Sequence, residues 1–408
     1  MNRSSRSSHK RATGNSLSHP RRFGHQRPGK TNITQSIFPT RRAAAHFTDL
    51  PPPKTDPPYH LTLADVTSRD EIKSINEKAS ISFHAVGDTG GINNATYQQI
   101  NVEAMEADFS TPNRDQPSFF YHLGDVVYYA GEANHYYGQF YEPYQYYPKP
   151  IFAIPGNHDG LTFGDPSSSL AAFVDNFCAD KPHISKDAAS ITRDAMTQPY
   201  VYWTFDAPFM TVIGLYSNTD EFEGDFDQNQ IKWFVNEMKT APKNKALIVA
   251  VHHPAYSGDG ARGSSSKVAK TLDDAFDQSG RRADLVLSGH VHNYQRFTRL
   301  FEGEEQIPYI VAGAGGYPAK HYLLSGPNGK KIEVPLNIRG RAGVNLTLEN
   351  YSDNRFGYLL LDVSQNSIKG RYIATAYHNE AFHSESEQVD NFELDWSEHK
   401  LMRGGSLP

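Results

Sequence analysis

The sequence predicts a layered α/β sandwich, and three observations predict it. From Ile81 onward the chain breaks into short apolar runs, each closed by a turn: Ile81–Val86, Ser118–Leu123, Pro150–Ile154, Tyr200–Phe205, Met210–Leu215, Ala246–Val251, Asp284–Ser288, Ile307–Ala312, Arg355–Val363 and Ser367–Ile373. Several are continuous rather than alternating, the pattern of strands buried on both faces. Between them lie segments of helical character at Ala95–Asp108, Leu170–Phe177, Gln228–Thr240 and Lys267–Gln278, the third with Ile231, Phe234, Val235 and Met238 on one face. Strand–helix alternation of this kind builds sheets covered by helices. The Lys-, Asp- and Ser-rich stretch Asp180–Thr197 interrupts it and is expected to be a surface loop rather than a lid.

Residues 1–58 read as a disordered arm and linker, rich in Ser, Arg, His and Pro and ending in Pro51-Pro52-Pro53 and Pro57-Pro58. The folded domain is expected over 59–388, with its motifs within 82–374, and 389–408 as a polar tail. Charge divides along the same line. The first 48 residues hold ten basic side chains and no acid, so a total of -6 leaves -16 on the remainder. Such a body repels a phosphate-rich polymer except where a metal reverses the local field. Nucleic-acid contact is therefore an expectation for the arm alone, where a solvated, solubilising tail is the plainer reading. A single cysteine, Cys178, excludes an intrachain disulfide and reads as a small buried apolar residue. No apolar run reaches the length of a secretory signal or a membrane span, so the expectation is a soluble, cytoplasmic protein.

The residues that carry chemistry sit where the strands run out. Ile81–Val86 ends in Gly87-Asp88-Thr89-Gly90-Gly91, and Phe119–Leu123 in Gly124-Asp125-Val126-Val127-Tyr128. Pro150–Ile154 leads to Gly156-Asn157-His158-Asp159, Ala246–Val251 to His252-His253-Pro254, and Asp284–Ser288 to Gly289-His290-Val291-His292. Ligands gather beyond the carboxyl ends of strands in open α/β sheets, so five such ends can share one crevice. Carboxylate, amide and imidazole donors without a thiolate suit Fe, Mn or Zn, and Asp125 is the natural bridge between two ions. The glycines beside them let the chain turn sharply. Taken singly, each motif has a duller reading: Gly-Asp is a common turn, Gly-Asn-His-Asp a loop, His252-His253 a satisfied core pair. His290-Val291-His292 is stronger, because alternate residues of an extended segment point the same way. The ordered set of five carries the metal reading.

In that order the motifs closely resemble the calcineurin-like metallophosphoesterases and, within them, the purple acid phosphatases, over Ser82 to Ala374. Two features select the subgroup. Gly90 stands where the wider family usually has His, and Tyr128 where purple acid phosphatases supply a tyrosinate to ferric iron. Gly313-Ala314-Gly315 is similar to the small animal-type members. The resemblance implies a four-layer α/β/β/α sandwich of two mixed β-sheets flanked by helices. It implies Fe(III) held by Asp88, Asp125, Tyr128 and His292, and a divalent ion (Fe, Zn or Mn) held by Asp125, Asn157, His252 and His290.

His158 and His253 are then expected near the substrate phosphate and leaving group, with Asp159 orienting the His158 ring. The expected reaction is acid-phosphatase-like: two ions lower the pKa of a water, and the hydroxide attacks a small phosphate monoester in line. A phosphodiesterase on cyclic nucleotides or glycerophosphodiesters is the alternative with the same ions. A binding protein acting through the basic arm is the reading from another class.

Substrate clues are thinner. Tyr136–Tyr147 holds seven aromatic residues between two motif loops, which serve either ordinary packing or an aromatic wall. Ser257–Gly260 and Gly263–Ser266 read as a flexible polar loop, with Arg262 either a phosphate contact or a solvated surface residue. Gly313–Gly316 lacks the Lys-Ser/Thr of a P-loop and reads as a turn.

Overall fold

The computed structural model describes residues 47–110, 116–164, 168–323, 331–339, 344–380 and 385–402, so the basic arm to residue 46 lies outside it. Among the described residues the strands are β1 (His60–Thr62), β2 (Ser80–Val86), β3 (Phe120–His122), β4 (Ile151–Ala153), β5 (Trp203–Ala207), β6 (Met210–Leu215), β7 (Ala246–Val251), β8 (Leu285–Ser288), β9 (Tyr294–Leu300), β10 (Gln306–Ala312), β11 (Leu336–Arg339), β12 (Asn345–Ser352), β13 (Arg355–Ser364), β14 (Ser367–Tyr377), β15 (Glu387–Asp395) and β16 (Lys400–Met402). They form two mixed sheets, ordered β1-β5-β6-β7-β8-β10-β9-β12-β11 and β16-β15-β14-β13-β2-β3-β4.

Continuous apolar runs occupy the parallel centres. All six residues of β7 are buried, and it lies parallel to both β6 and β8. β2, β3 and β4 form the parallel set of the other sheet. The sheets pack face to face through large rings. Phe205 of β5 meets Phe119 at 5.0 Å and Phe152 of β4 at 4.4 Å between ring centres, while Tyr294 of β9 stacks on Tyr372 of β14 at 3.9 Å.

Helices cover the outer faces: Thr96–Ala107 on β13 and β14, and Gln228–Thr240 on β6 with Ser266–Ser279 against it. The result is the four-layer α/β/β/α order expected. Asp227 caps Gln228–Thr240 by accepting from the Asn229 and Gln230 amides, and Ser265 caps Ser266–Ser279 by accepting from Val268.

Two expectations change. Within the described residues, the expected polar tail from Val389 is largely sheet: β15 pairs with β14 and β16, and Asp390, Phe392 and Leu394 alternate inward. One of those inward positions is a carboxylate, which hides the period. Asp390 receives a two-pronged ion pair from Arg296 of β9 at 2.7 and 3.0 Å, tying the two sheets together.

The last residues of the expected disordered linker, from 47 to 58, are packed on the domain: the Thr48 amide donates to Asn218 Oδ1 at 2.9 Å, the Tyr200 hydroxyl to Pro51 O at 2.5 Å and Lys54 Nζ to Cys178 O at 2.8 Å. Of the two readings of the aromatic segment, packing holds for Tyr136, Phe140, Tyr141, Tyr144 and Tyr147, whose rings are buried, while Tyr137 and Tyr146 are exposed. Asp180–Thr197 is pinned to that segment: Arg193 donates to the carbonyl oxygens of Tyr144, Tyr147 and Lys149. No helix among the described residues is long and apolar enough to cross a membrane.

Candidate metal centre

The carboxyl ends of β2, β3, β4, β7 and β8 meet. Each chain reverses sharply as it leaves its strand, and three of the expected donors adopt left-handed backbone: Asp88 (φ 58°), Asp125 (φ 54°) and His290 (φ 66°). Each costs about 1–3 kcal/mol in a residue with a Cβ, which clustered strain at a functional site commonly shows. Gly124, at φ 91°, has no such freedom to change, because a Cβ there would lie 2.6 Å from His252 Nδ1. Backbone bonds lock the loops together. Asp88 N–H donates to Gly124 O at 2.9 Å, Gly289 N–H to His252 O at 3.0 Å, and His290 N–H to the Asp88 carboxylate at 2.7 Å.

All seven expected donors converge and are buried. Asn157 Oδ1 lies 3.1 Å from both His252 Nε2 and His290 Nδ1, and Asp125 Oδ2 is 3.3 Å from His252 Nε2. Beside this group, the Tyr128 hydroxyl is 3.0 Å from Asp125 Oδ2, 3.1 Å from Asp88 Oδ1 and 3.4 Å from His292 Nε2. Asp125, His252 and His290 place ligand atoms within 4.8 Å of one another. Edges of a coordination polyhedron with bonds of about 2.1 Å run to roughly 3.0–3.4 Å, so these spacings fit metal coordination around Asp125.

The outer hydrogen bonds sharpen that fit. His252 Nδ1 faces Leu123 O at 2.8 Å, His290 Nε2 faces Glu221 O at 3.0 Å, and His292 Nδ1 faces Ala319 O at 2.6 Å. A carbonyl oxygen only accepts, so each outer nitrogen carries the proton and each inner nitrogen turns a lone pair inward. Asn157 donates its Nδ2 to Glu221 at 3.1 Å, so its oxygen also points inward. Lone pairs of three imidazoles thus face carboxylate and amide oxygens, an arrangement that a cation between them resolves.

The electrostatics agree. Burial works to raise the Asp125 carboxyl, yet the His252 and His158 imidazoles hold it well below the ordinary range. Burial works against charge on His252, but the Asp125 carboxylate beside it raises its pKa to about 9, so negative charge at this point favours a cation. Burial, then the charges of Asp125 and Asp88, push the Tyr128 phenol well above its usual value.

Two expected roles fail on geometry. Asp159 does not orient the His158 ring. Its carboxylate accepts from the amides of Val126 (3.0 Å), Val127 (3.2 Å) and Gly156 (2.8 Å), which staples two donor loops together. His158 Nδ1 instead donates to Tyr129 O at 2.8 Å. His253 is not free to protonate a leaving group either. Nε2 donates to Asp220 O at 2.6 Å and Nδ1 accepts from Ser217 Oγ at 2.7 Å, while burial, then His252, lowers its pKa to about 3. Arg262 is not a solvated surface group: it is paired with Glu221 at 2.5 Å.

Sequence reasoning missed three neighbours. Gln139 grips Tyr128 by accepting from its N–H at 2.9 Å and donating to its carbonyl at 2.7 Å. Tyr317 stacks on the Tyr128 ring at 3.9 Å, and Glu221 touches both Asn157 and His290. Gly90 explains itself in this setting. A Cβ there would meet Gln139 Oε1 at 2.3 Å and the Tyr128 ring at 2.9 Å, so Gly90 and Tyr128 form a steric pair.

Residues 81–294, just over half the chain, match the calcineurin-like phosphoesterase family. The chain belongs to that family. Within it, similarity runs to purple acid phosphatases. Purple acid phosphatase 21 of Arabidopsis thaliana is 22% identical over 312 residues, covering 73% of this chain and 64% of that protein. Acid phosphatase A of Cryphonectria parasitica is 30% identical over 155 residues, covering 38% of this chain and 27% of that protein. The chain therefore spans less than two thirds of the length of these relatives. Among solved structures, a purple acid phosphatase from yellow lupin (Lupinus luteus) seeds shares the fold, with a TM-score of 0.51 at 15% identity, covering 78% of this chain and 54% of that one.

Proposed function

We propose that this phosphoesterase hydrolyses small phosphate monoesters at a two-ion centre. Asp88, Asp125, Tyr128 and His292 would hold Fe(III), and Asp125, Asn157, His252 and His290 a divalent Fe, Zn or Mn. The observation that carries the reading is the inward set of imidazole lone pairs facing carboxylate and amide oxygens at 3.1–3.4 Å. When bound, the ions supply Lewis acidity and a water of lowered pKa.

The chain's own residues do the rest. His158 donates through Nδ1 to Tyr129 O, which fixes its ring beside Tyr128; from its imidazolium form the Nε2 proton would pass to the leaving oxygen, and the neutral ring would keep its Nδ1 proton. Asp159 keeps the Asp125 and Asn157 loops in register through its backbone bonds. Iron is favoured on the first side because a buried phenol between two carboxylates gives up its proton only to a strongly charged ion. Gly90 supports that choice, since it leaves room for the Tyr128 ring.

Turnover of an aryl phosphate against a bis-aryl phosphate by the purified protein tests the substrate class. The monoester is expected to be hydrolysed faster. A clear preference for the diester would replace this reading with a phosphodiesterase using the same donors.

A further inference from the structure

We propose that Glu221, held by Arg262, is a positioning residue for the divalent side of the pair, an inference that rests on Asn157 and His290 binding that ion. Glu221 lies beyond β6, far from every motif loop in sequence, yet touches two donors at once. Its main-chain carbonyl accepts from His290 Nε2 at 3.0 Å, and its carboxylate Oε2 accepts from Asn157 Nδ2 at 3.1 Å.

The first contact selects the tautomer that keeps the His290 Nδ1 lone pair inward. The second selects the amide orientation that keeps Asn157 Oδ1 inward. An Asn157 amide turned over would present N–H groups to a cation and cease to ligate. The other carboxylate oxygen, Oε1, pairs with Arg262 Nη2 at 2.5 Å, and Arg262 Nη1 donates to His290 O at 2.5 Å. One guanidinium therefore braces both the residue that aims the donors and the backbone of a donor.

The loop carrying Glu221 has anchors of its own. His253 holds Ser217 and the Asp220 carbonyl, as described above. Asp220 caps the amides of Phe222 and Glu223 at 2.9 and 2.7 Å, and the Glu223 carboxylate accepts from the Ser266 amide at 2.8 Å. Removing the Glu221 side chain thus frees the Asn157 amide without releasing the loop. The carbonyl contact to His290 survives, so the effect falls on Asn157 first.

The test is a Mn(II) titration of chelator-treated full-length protein, with free Mn(II) read by electron paramagnetic resonance and tightly held iron measured in parallel. Loss of an outer partner commonly weakens metal binding about 10- to 100-fold, and Glu221→Ala is expected to weaken Mn(II) by that factor with iron content unchanged. Glu221→Gln keeps an acceptor and the side-chain volume, so it should show a smaller loss in the same direction. Wild-type Mn(II) affinity in both variants overturns the proposal, as does loss of iron and manganese together in Glu221→Gln. A His290→Ala control separates the layers. If it also binds Mn(II) normally, the assignment of the divalent site has failed; if it alone loses Mn(II), only the role of Glu221 has.

Discussion

Asn157, His252 and His290 are aimed by hydrogen bonds to their outer nitrogens, whereas Tyr128, on the other side of Asp125, is aimed mainly by shape. Its ring is enclosed by Tyr317 at 3.9 Å and His158 at 4.5 Å, its backbone is gripped by Gln139, and the space it fills exists because residue 90 has no side chain. Polar donors have a directional contact that can select their orientation. A phenol held as a ligand has its one polar atom committed inward, so packing must supply the rest. Asn157, His252 and His290 should therefore be sensitive to lost hydrogen bonds and Tyr128 to added volume.

Asp125→Asn breaks the comparison altogether, because Asp125 Oδ2 lies within reach of both groups. Hydrolysis of an aryl phosphate is expected to fall about 1,000-fold or more, with less than two metal ions retained per chain, by steady-state kinetics and metal analysis. Gly90→Ala sharpens it. Overpacking costs about 1–3 kcal/mol, and thermal melting should drop while Mn(II) affinity on the other side holds. A fall in Mn(II) affinity equal to that of Asn157→Ala would show the halves are not separable.

Tyr317→Leu is gentler. It removes a stacked pair worth about 0.5–1.5 kcal/mol and should lower melting slightly and shift any Tyr128-derived absorption. The smallest effect on either half belongs to Asp284, at the opposite end of β8. Burial pushes its carboxyl up to about 7, against a hydrogen bond from the Leu247 amide. A raised carboxyl stabilises the fold fully below about pH 4 and loses that stabilisation as pH rises through 7. Asp284→Asn should flatten that part of the melting-versus-pH curve and leave metal binding unchanged.

The convergence of these side chains was legible because each motif is short and closes a strand whose apolar run is unmistakable, as at Ala246–Val251 before His252. What aims them was not. Glu221 reaches Asn157 across 64 positions, and nothing in an acidic loop marks it. Adjacency also misled. His253 follows His252, but successive residues point to opposite sides, and its ring stands 86° from that of His252. Asp159 follows His158, yet in the short turn Asn157–Gly160 its carboxylate folds back onto backbone amides. In the fold, β15 and β9 escaped notice because Asp390 and Arg296, inward and paired across the sheets, break the apolar period.

The claim that Tyr128 and its neighbours build an iron side next to a divalent side is tested most directly by the visible absorption spectrum with metal analysis, on the wild-type protein and Tyr128→Phe. The account predicts iron plus a second metal ion in the wild type, with a tyrosinate-to-iron band that vanishes in the variant. A colourless, active wild-type protein carrying manganese or zinc alone would contradict it.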